Sequence, residues 1–238
     1  KMRNIGDKFS EEIIKKLTTI ADGQEEALHQ AAIIIADTVE KGGIVQSFGS
    51  GHSYGNALEI SGRAGGFIQT KIINEPSRGN YEMVEGVGTQ FLNHWDLREN
   101  DCLILISNSG RNPLSIEMAM GAKALGIKII VVTALQVAKN STSRHSSGKM
   151  LHDFADVILD NKSIFGDSCI EVEGLPVKVG GTSLYTGSML LDRATFEAID
   201  ILLDRGVTPP LFMSANVDGG PEFNKKYQDM YKDRLRLY

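Results

Sequence analysis

Apolar residues come in short, dense runs separated by glycine- and serine-rich breaks, and those runs alternate with longer stretches of helical period. Residues 103–106 are continuously apolar, and 127–132 are apolar apart from Lys128. Runs of this kind mark strands covered on both faces. Shorter or more mixed runs at 44–48, 67–73 and 157–159 predict three further strands. Helical spacing places Phe9, Ile13, Ile14 and Leu17 on one face over 7–20, and Ala27, Ala31, Ile34 and Ile35 on one face over 24–40. Two more helices are predicted over 113–125 and 184–203, the second with Met189, Leu190, Phe196 and Ile199 among its apolar members. Gly42-Gly43, Gly126, and Gly206 with Pro209-Pro210 are their stops. Strand, helix and strand with short connections across 103–132 predict a right-handed βαβ unit and hence a parallel sheet.

No repeat or low-complexity tract divides the chain, so 1–238 reads as one domain with two N-terminal helices and a C-terminal tail. Helices ahead of the first strand either cross the sheet or meet a second subunit, and the isoleucine-rich face favours the second. The charged tail from 221 to 238 carries Phe223, Tyr227, Tyr231 and Tyr238. It reads as an amphipathic helix on a partner or as a frayed end. Residues 81–95 look partly helical, 139–150 read as a polar loop or lid, and 161–181 look irregular.

Composition narrows the partners. With 238 residues, 42% hydrophobic and 23% charged, the chain suits one α/β domain with a proper core. A net charge of −5 without a basic run argues against nucleic acid. Cys102 and Cys169 are far apart and form no CxxC or zinc-type pair, so a reducing, cytoplasmic location is expected. No signal sequence is evident, and the longest apolar runs fall well short of the roughly 20 residues that span a bilayer, so no membrane partner is expected.

Two loops carry the candidate chemistry. After 103–106 come Ser107, Asn108, Ser109, Gly110, Arg111 and Asn112, with no apolar residue among them. Asn112 then Pro113 predicts a side-chain cap and a proline at the first helical position. Small hydroxyls at a helix N-terminus suit an anion, because the first turn has free N–H donors. A polar turn between two core elements explains the same residues without a ligand. The second loop, after 44–48, holds Gly49, Ser50, Gly51, His52 and Ser53. Its glycine spacing is GxGxxxG rather than the dinucleotide GxGxxG, so NAD is a distant third possibility, although Glu75 lies at a suitable distance. No GK[ST] follows, which excludes a P-loop. Both loops leave the carboxyl ends of strands, where open α/β sheets bind ligands.

The strings FGSGHS at 48–53, EISGR at 59–63 and LISNSGRNPLSIE at 105–117 resemble the sugar isomerase (SIS) domain family. That family includes phosphoheptose isomerases, the isomerase half of glucosamine-6-phosphate synthase, N-acetylmuramic acid 6-phosphate etherases and sugar-phosphate-sensing regulators. The resemblance covers most of 5–205 and is nearest to stand-alone bacterial members. It implies a three-layer αβα sandwich with a parallel sheet of about five strands, and a homodimer or homotetramer. It also implies a phosphorylated sugar held by Gly49, Ser50, Gly51, Ser53, Ser107, Asn108, Ser109, Gly110 and Asn112. Glu59 matches the catalytic glutamate of the heptose isomerases, although the preceding helix is about one turn shorter here.

Proton removal beside a carbonyl needs a base such as Glu59. An ion pair with Arg63, four residues on, is the structural alternative. His52 and His145 are candidates for assisting at a sugar oxygen. Family isomerases place a histidine from a C-terminal helix in the site, and the helix over 184–203 has none, so His94, His145 or His152 would have to substitute. Arg111 and Lys149 are candidates for neutralising phosphate, and Glu117 for orienting the loop. Asp160 and Asp167 are weaker candidates. No cofactor is expected, and no metal motif stands at ligand spacing, although some phosphoheptose isomerases use zinc. The expected function is binding and aldose–ketose isomerisation of a sugar phosphate. The alternatives are a noncatalytic sensing protein and an amino-sugar-phosphate lyase or etherase.

Overall fold

The computed structural model describes residues 4–235. Five parallel strands form the centre: β1 (Val45–Gly49), β2 (Thr70–Ile72), β3 (Cys102–Ile106), β4 (Lys128–Thr133) and β5 (Val157–Asp160). Their spatial order is β2-β1-β3-β4-β5, and helices cover both faces. β3 shows why the sheet is buried twice. Cys102, Ile104 and Ile106 pack into one layer with α2 (Glu25–Glu40) and α7 (Ser183–Asp204), while Leu103 and Leu105 pack into the other with α5 (Pro113–Ala124). That alternation is the two-residue period of a strand with apolar residues in both phases. Full burial pushes the Cys102 thiol up to about 12, which leaves it an inert core group.

The remaining helices are α1 (Ile5–Thr19), α3 (Tyr54–Glu59), α4 (Val87–Asn93), α6 (Leu135–Lys139), α8 (Gly220–Met230) and α9 (Lys232–Leu235). The predicted helices and strands are present with shifted ends. The run 67–73 gives only the short β2, preceded by an antiparallel bridge from Phe67 to Leu211. The stretch 161–181 is not wholly irregular: β6 (Ser168–Ile170) and β7 (Val179–Gly181) form an antiparallel hairpin. α6 lies just ahead of the polar loop at 139–150.

The apolar face of α2 is buried within its own chain, where Leu28, Ala31, Ala32 and Ile35 pack along α7. On α1, Ile13 is buried, but Ile14 stays 65% exposed, so the four apolar residues do not share one covered face. Within the described residues the tail is helical rather than frayed. α8 and α9 fold back on the body of the protein, while Tyr238 lies outside the described residues. Asn224 bonds the backbone of Met213 through both ends of its amide. Arg234 reaches Asp96 at 2.8 Å and Asp101 at 2.6 Å.

Asp101 is the polar node at the start of the sheet. Its fully buried carboxylate accepts the N–H of Ile44 and of Arg98, the Gln46 amide and the Arg234 guanidinium. A buried Gln46 can therefore sit inside β1 without an unsatisfied donor. Replacing Asp101 with Ala leaves the Ile44 and Arg98 N–H groups without their acceptor, while Arg234 keeps Asp96. The expected loss is about 1–3 kcal/mol, read as a lower urea midpoint, and an unchanged midpoint would contradict this role.

Candidate functional site

The site is set by how β1 and β3 end. They pair from Val45–Cys102 through to Gly49–Ile106, so both strands stop at the same level. The chain leaves β1 toward β2 and leaves β3 toward β4, on opposite sides. That is a topological switch point, where a doubly wound sheet leaves a crevice beyond its carboxyl edge. The two serine-rich loops frame this crevice. A cavity of about 270 Å³ opens between them, lined by Ser50, Ser53, Ser107, Asn108, Ser109 and Asn112. It is smaller than the roughly 300–1,000 Å³ of drug-sized sites, which suits a small ligand and is cramped for a dinucleotide.

Each loop is braced. A Cβ on Gly49 would lie 2.2 Å from the Ser53 carbonyl, so only glycine lets the chain turn so tightly out of β1. Ser50 Oγ is buried and has no hydrogen-bond partner among the described residues, an uncommon state for a buried hydroxyl. Gly49 and Gly51 line a neighbouring cavity. In the second loop, Gly110 N–H donates to Ser107 Oγ at 3.1 Å, and its carbonyl accepts Leu151 N–H. Asn108 is tied to β4 through its carbonyl, which accepts from Thr133 and Ala134, and to Asn161 through its side chain at 2.6 Å.

Asn112 stands at the N-cap of α5 with extended backbone, but its side chain makes no cap bond. Arg144 explains the difference by donating to Asn112 Oδ1 at 3.0 Å. The Glu82 carbonyl accepts Leu114 N–H instead, and Pro113 has no N–H to satisfy. Glu82 also lines the cavity, and its carboxylate makes no hydrogen bond among the described residues. Nothing in the sequence singles it out, because 81–95 shows no clean period.

Asp167 completes the wall. Its carboxylate accepts the Ser163 and Ser183 hydroxyls and the Thr182 and Ser183 N–H groups, so it caps α7 from outside the helix. Burial pushes this carboxyl up, but those hydrogen bonds outweigh it and hold the group below the usual carboxylate range.

The catalytic candidates are not gathered at this cavity. Glu59 ends α3, pairs with Arg63 and does not line the cavity. Arg63 also acts on Asp192 of α7, whose carboxyl is pushed up by burial and drawn back by that charge. His52 is exposed and does not line the cavity either. His145 lies beside α5, with Nε2 3.5 Å from the Glu117 carboxylate and Nδ1 2.7 Å from Ser147 Oγ. Glu117 accepts the Gly86 and Thr89 N–H groups, so it fixes the first turn of α4. Arg111 bonds Thr142 at 3.2 Å, and Lys149 is exposed. Asp160 accepts Leu135 N–H and Lys162 N–H. Nδ1 of His152 is buried without a partner among the described residues. His94 lines a larger cavity of about 770 Å³ with Phe91 and Trp95, which shares Glu75 and Pro76 with the cavity beside Gly49 and Gly51. That cavity is bigger but holds no cluster of hydroxyls, so size alone does not make it the site. Among the described residues, no three His, Cys, Asp or Glu side chains converge to hold a metal ion, and no helix is long and apolar enough to cross a membrane.

A family model for the SIS domain matches residues 8–134. A UPF0309 protein of Listeria monocytogenes is 50% identical over 212 residues, covering 89% of this chain and 91% of that protein. Another from Streptomyces coelicolor is 36% identical over 238 residues, covering 95% of each. A phosphoheptose isomerase structure from Francisella tularensis superposes with a TM-score of 0.51 at 17% identity, over 81% of this chain and 95% of that one. At that identity the likeness is one of fold.

Asp167 yields a pH signature. Its folded pKa lies below the unfolded value, so its stabilisation is complete above about pH 4 and is lost as pH falls through the folded pKa. Asp167→Asn should remove that part of the acid dependence, measured as urea midpoints from pH 7 to 3. A variant that keeps the wild-type acid slope would contradict the assignment.

Proposed function

This chain belongs to the SIS domain family, and we propose that it binds a phosphorylated sugar between its two serine loops and isomerises it from aldose to ketose by proton transfer. The observation that carries the reading is the convergence of Ser50, Ser53, Ser107 and Ser109 on one small cavity at the switch point. Their hydroxyls and the adjacent α5 N-terminus suit a phosphate without a metal. The unpartnered Ser50 Oγ is a donor ready for a ligand oxygen. In this reading a carboxylate takes the C2 proton and returns it to C1, while protons exchange between the two oxygens.

Two carboxylates support that role on different grounds. Glu59 matches the family's glutamate, while Glu82 lines the cavity and has no competing partner among the described residues. We assign contact with the substrate to Glu82. A cytoplasmic homodimer belongs to the same proposal, supported by uncovered apolar side chains such as Ile14, Tyr81, Met83 and Phe196. A second reading, binding without turnover, is favoured by one observation: Glu59, His52 and His145 stand apart from the cavity.

Exchange of the C2 proton in deuterium oxide separates the readings. Hexose and pentose phosphates that stabilise the protein are expected to exchange with wild type and to slow by about a hundredfold or more with Glu82→Gln. Binding without any exchange would sink the isomerase claim. Exchange that survives Glu82→Gln but is lost in Glu59→Gln would move the base to Glu59.

A further inference from the structure

The serine-loop cavity is lined by no lysine or arginine among the described residues, so an anion seated there is met by neutral donors. Asn108 and Asn112 both line it. An amide can offer a ligand either an acceptor oxygen or a donor NH2, and the partner behind it decides which end is left over. Here those partners leave one choice.

Behind Asn108 stands Asn161, which follows β5 and is 1% exposed. Ser163 N–H, a backbone donor, bonds Asn161 Oδ1 at 3.0 Å. The other end of the Asn161 amide is therefore its NH2, and that group donates to Asn108 Oδ1 at 2.6 Å. Behind Asn112 stands Arg144. A guanidinium can only donate, so the atom it meets at 3.0 Å is the Asn112 oxygen. With both oxygens claimed, the ends left over are Nδ2 of Asn108 and Nδ2 of Asn112. Neither nitrogen has a partner among the described residues, and neither is sealed from solvent. Ser107 follows the same rule, since its Oγ accepts Gly110 N–H and keeps its own proton to donate. Of the two carboxylates in the wall, Asp167 is taken up by Ser163, Thr182 and Ser183, and Glu82 alone remains to accept. Asn161 and Arg144 do not line the cavity themselves.

We propose that Asn161 and Arg144 are positioning residues that turn the Asn108 and Asn112 amides into donors for the phosphate of the ligand. The inference rests on the phosphosugar reading and deepens it: the cup takes a group whose oxygens all accept, and it holds that group with neutral dipoles aimed in advance. An amide already turned toward the phosphate needs no reorganisation when the ligand arrives, which is where such a site gains over one of freely rotating groups.

Reversing the polarity behind each amide tests this, with affinities measured by calorimetry for the 6-phosphates of glucose, fructose and mannose. Asn161→Asp, ionised at neutral pH, still accepts Ser163 N–H but also presents an acceptor to Asn108, which turns the Asn108 oxygen toward the phosphate. The tightest-binding hexose 6-phosphate is expected to lose about tenfold or more in affinity. In an Asn108→Ala background the same substitution should cost less than about threefold, because the amide it acts through is gone. Arg144→Met with Asn112→Ala forms a second cycle at an exposed side chain. The same pattern is expected there, and Arg144→Lys should restore part of the loss. Additivity in a cycle, or unchanged affinity in Asn161→Asp or Arg144→Met alone, would overturn the inference for that residue and leave the phosphosugar reading standing. If none of the three hexose 6-phosphates binds wild type, the phosphosugar reading falls and the inference falls with it.

Discussion

The parallel pairing of β1 with β3 is the constraint on which the site depends. Because Gly49 and Ile106 are the last partners of that ladder, the loops at 50–53 and 107–112 emerge level and adjacent. Neither loop makes a cavity alone. A slip of one residue would move every side chain of a strand to the opposite face, exchanging the layers filled by Ile104 and Leu105. Burial on both faces therefore fixes the register, and the register brings the serines together.

Buried or half-buried carboxylates then hold what the sheet does not. Asp101 gathers the starts of β1 and β3 and the returning tail. Glu117 ties α4 to α5. Asp167 fixes the turn ahead of the hairpin to the first turn of α7. Each accepts several backbone or side-chain donors at once, so its oxygens are satisfied by the protein rather than by water. Asp167 also lines the crevice itself, whereas Asp101 works at the opposite end of the sheet.

The sheet, the long helices and the two serine loops were legible in the sequence because dense apolar runs and glycine stops have one reading in a doubly wound fold. The hairpin β6–β7 was not, since its strands are short and half-exposed, with little apolar pattern. Glu82 lay hidden because a long-range bond, from Leu114 N–H to its carbonyl, ties its turn to the start of α5 and leaves no local signal. Asn112 was read as a side-chain cap from local preference, but Arg144, distant in sequence, claims its oxygen. The tail was ambiguous for a similar reason. Its anchor is Arg234 on Asp96 and Asp101, and a long-range ion pair leaves no local signal. His145 stands among serines in the sequence, and in the fold its ring is tied to Glu117 and Ser147.

The serine cup, and not the larger apolar cavity beside Trp95, is the proposed seat of the phosphate. A crystal structure of the protein soaked with a hexose 6-phosphate tests this most directly. The phosphorus is expected between 50–53 and 107–112, with a phosphate oxygen within hydrogen-bond reach of Ser50 Oγ or Ser109 Oγ. A phosphate seated among Phe91, His94 and Trp95, with the serine cup unchanged, would contradict it.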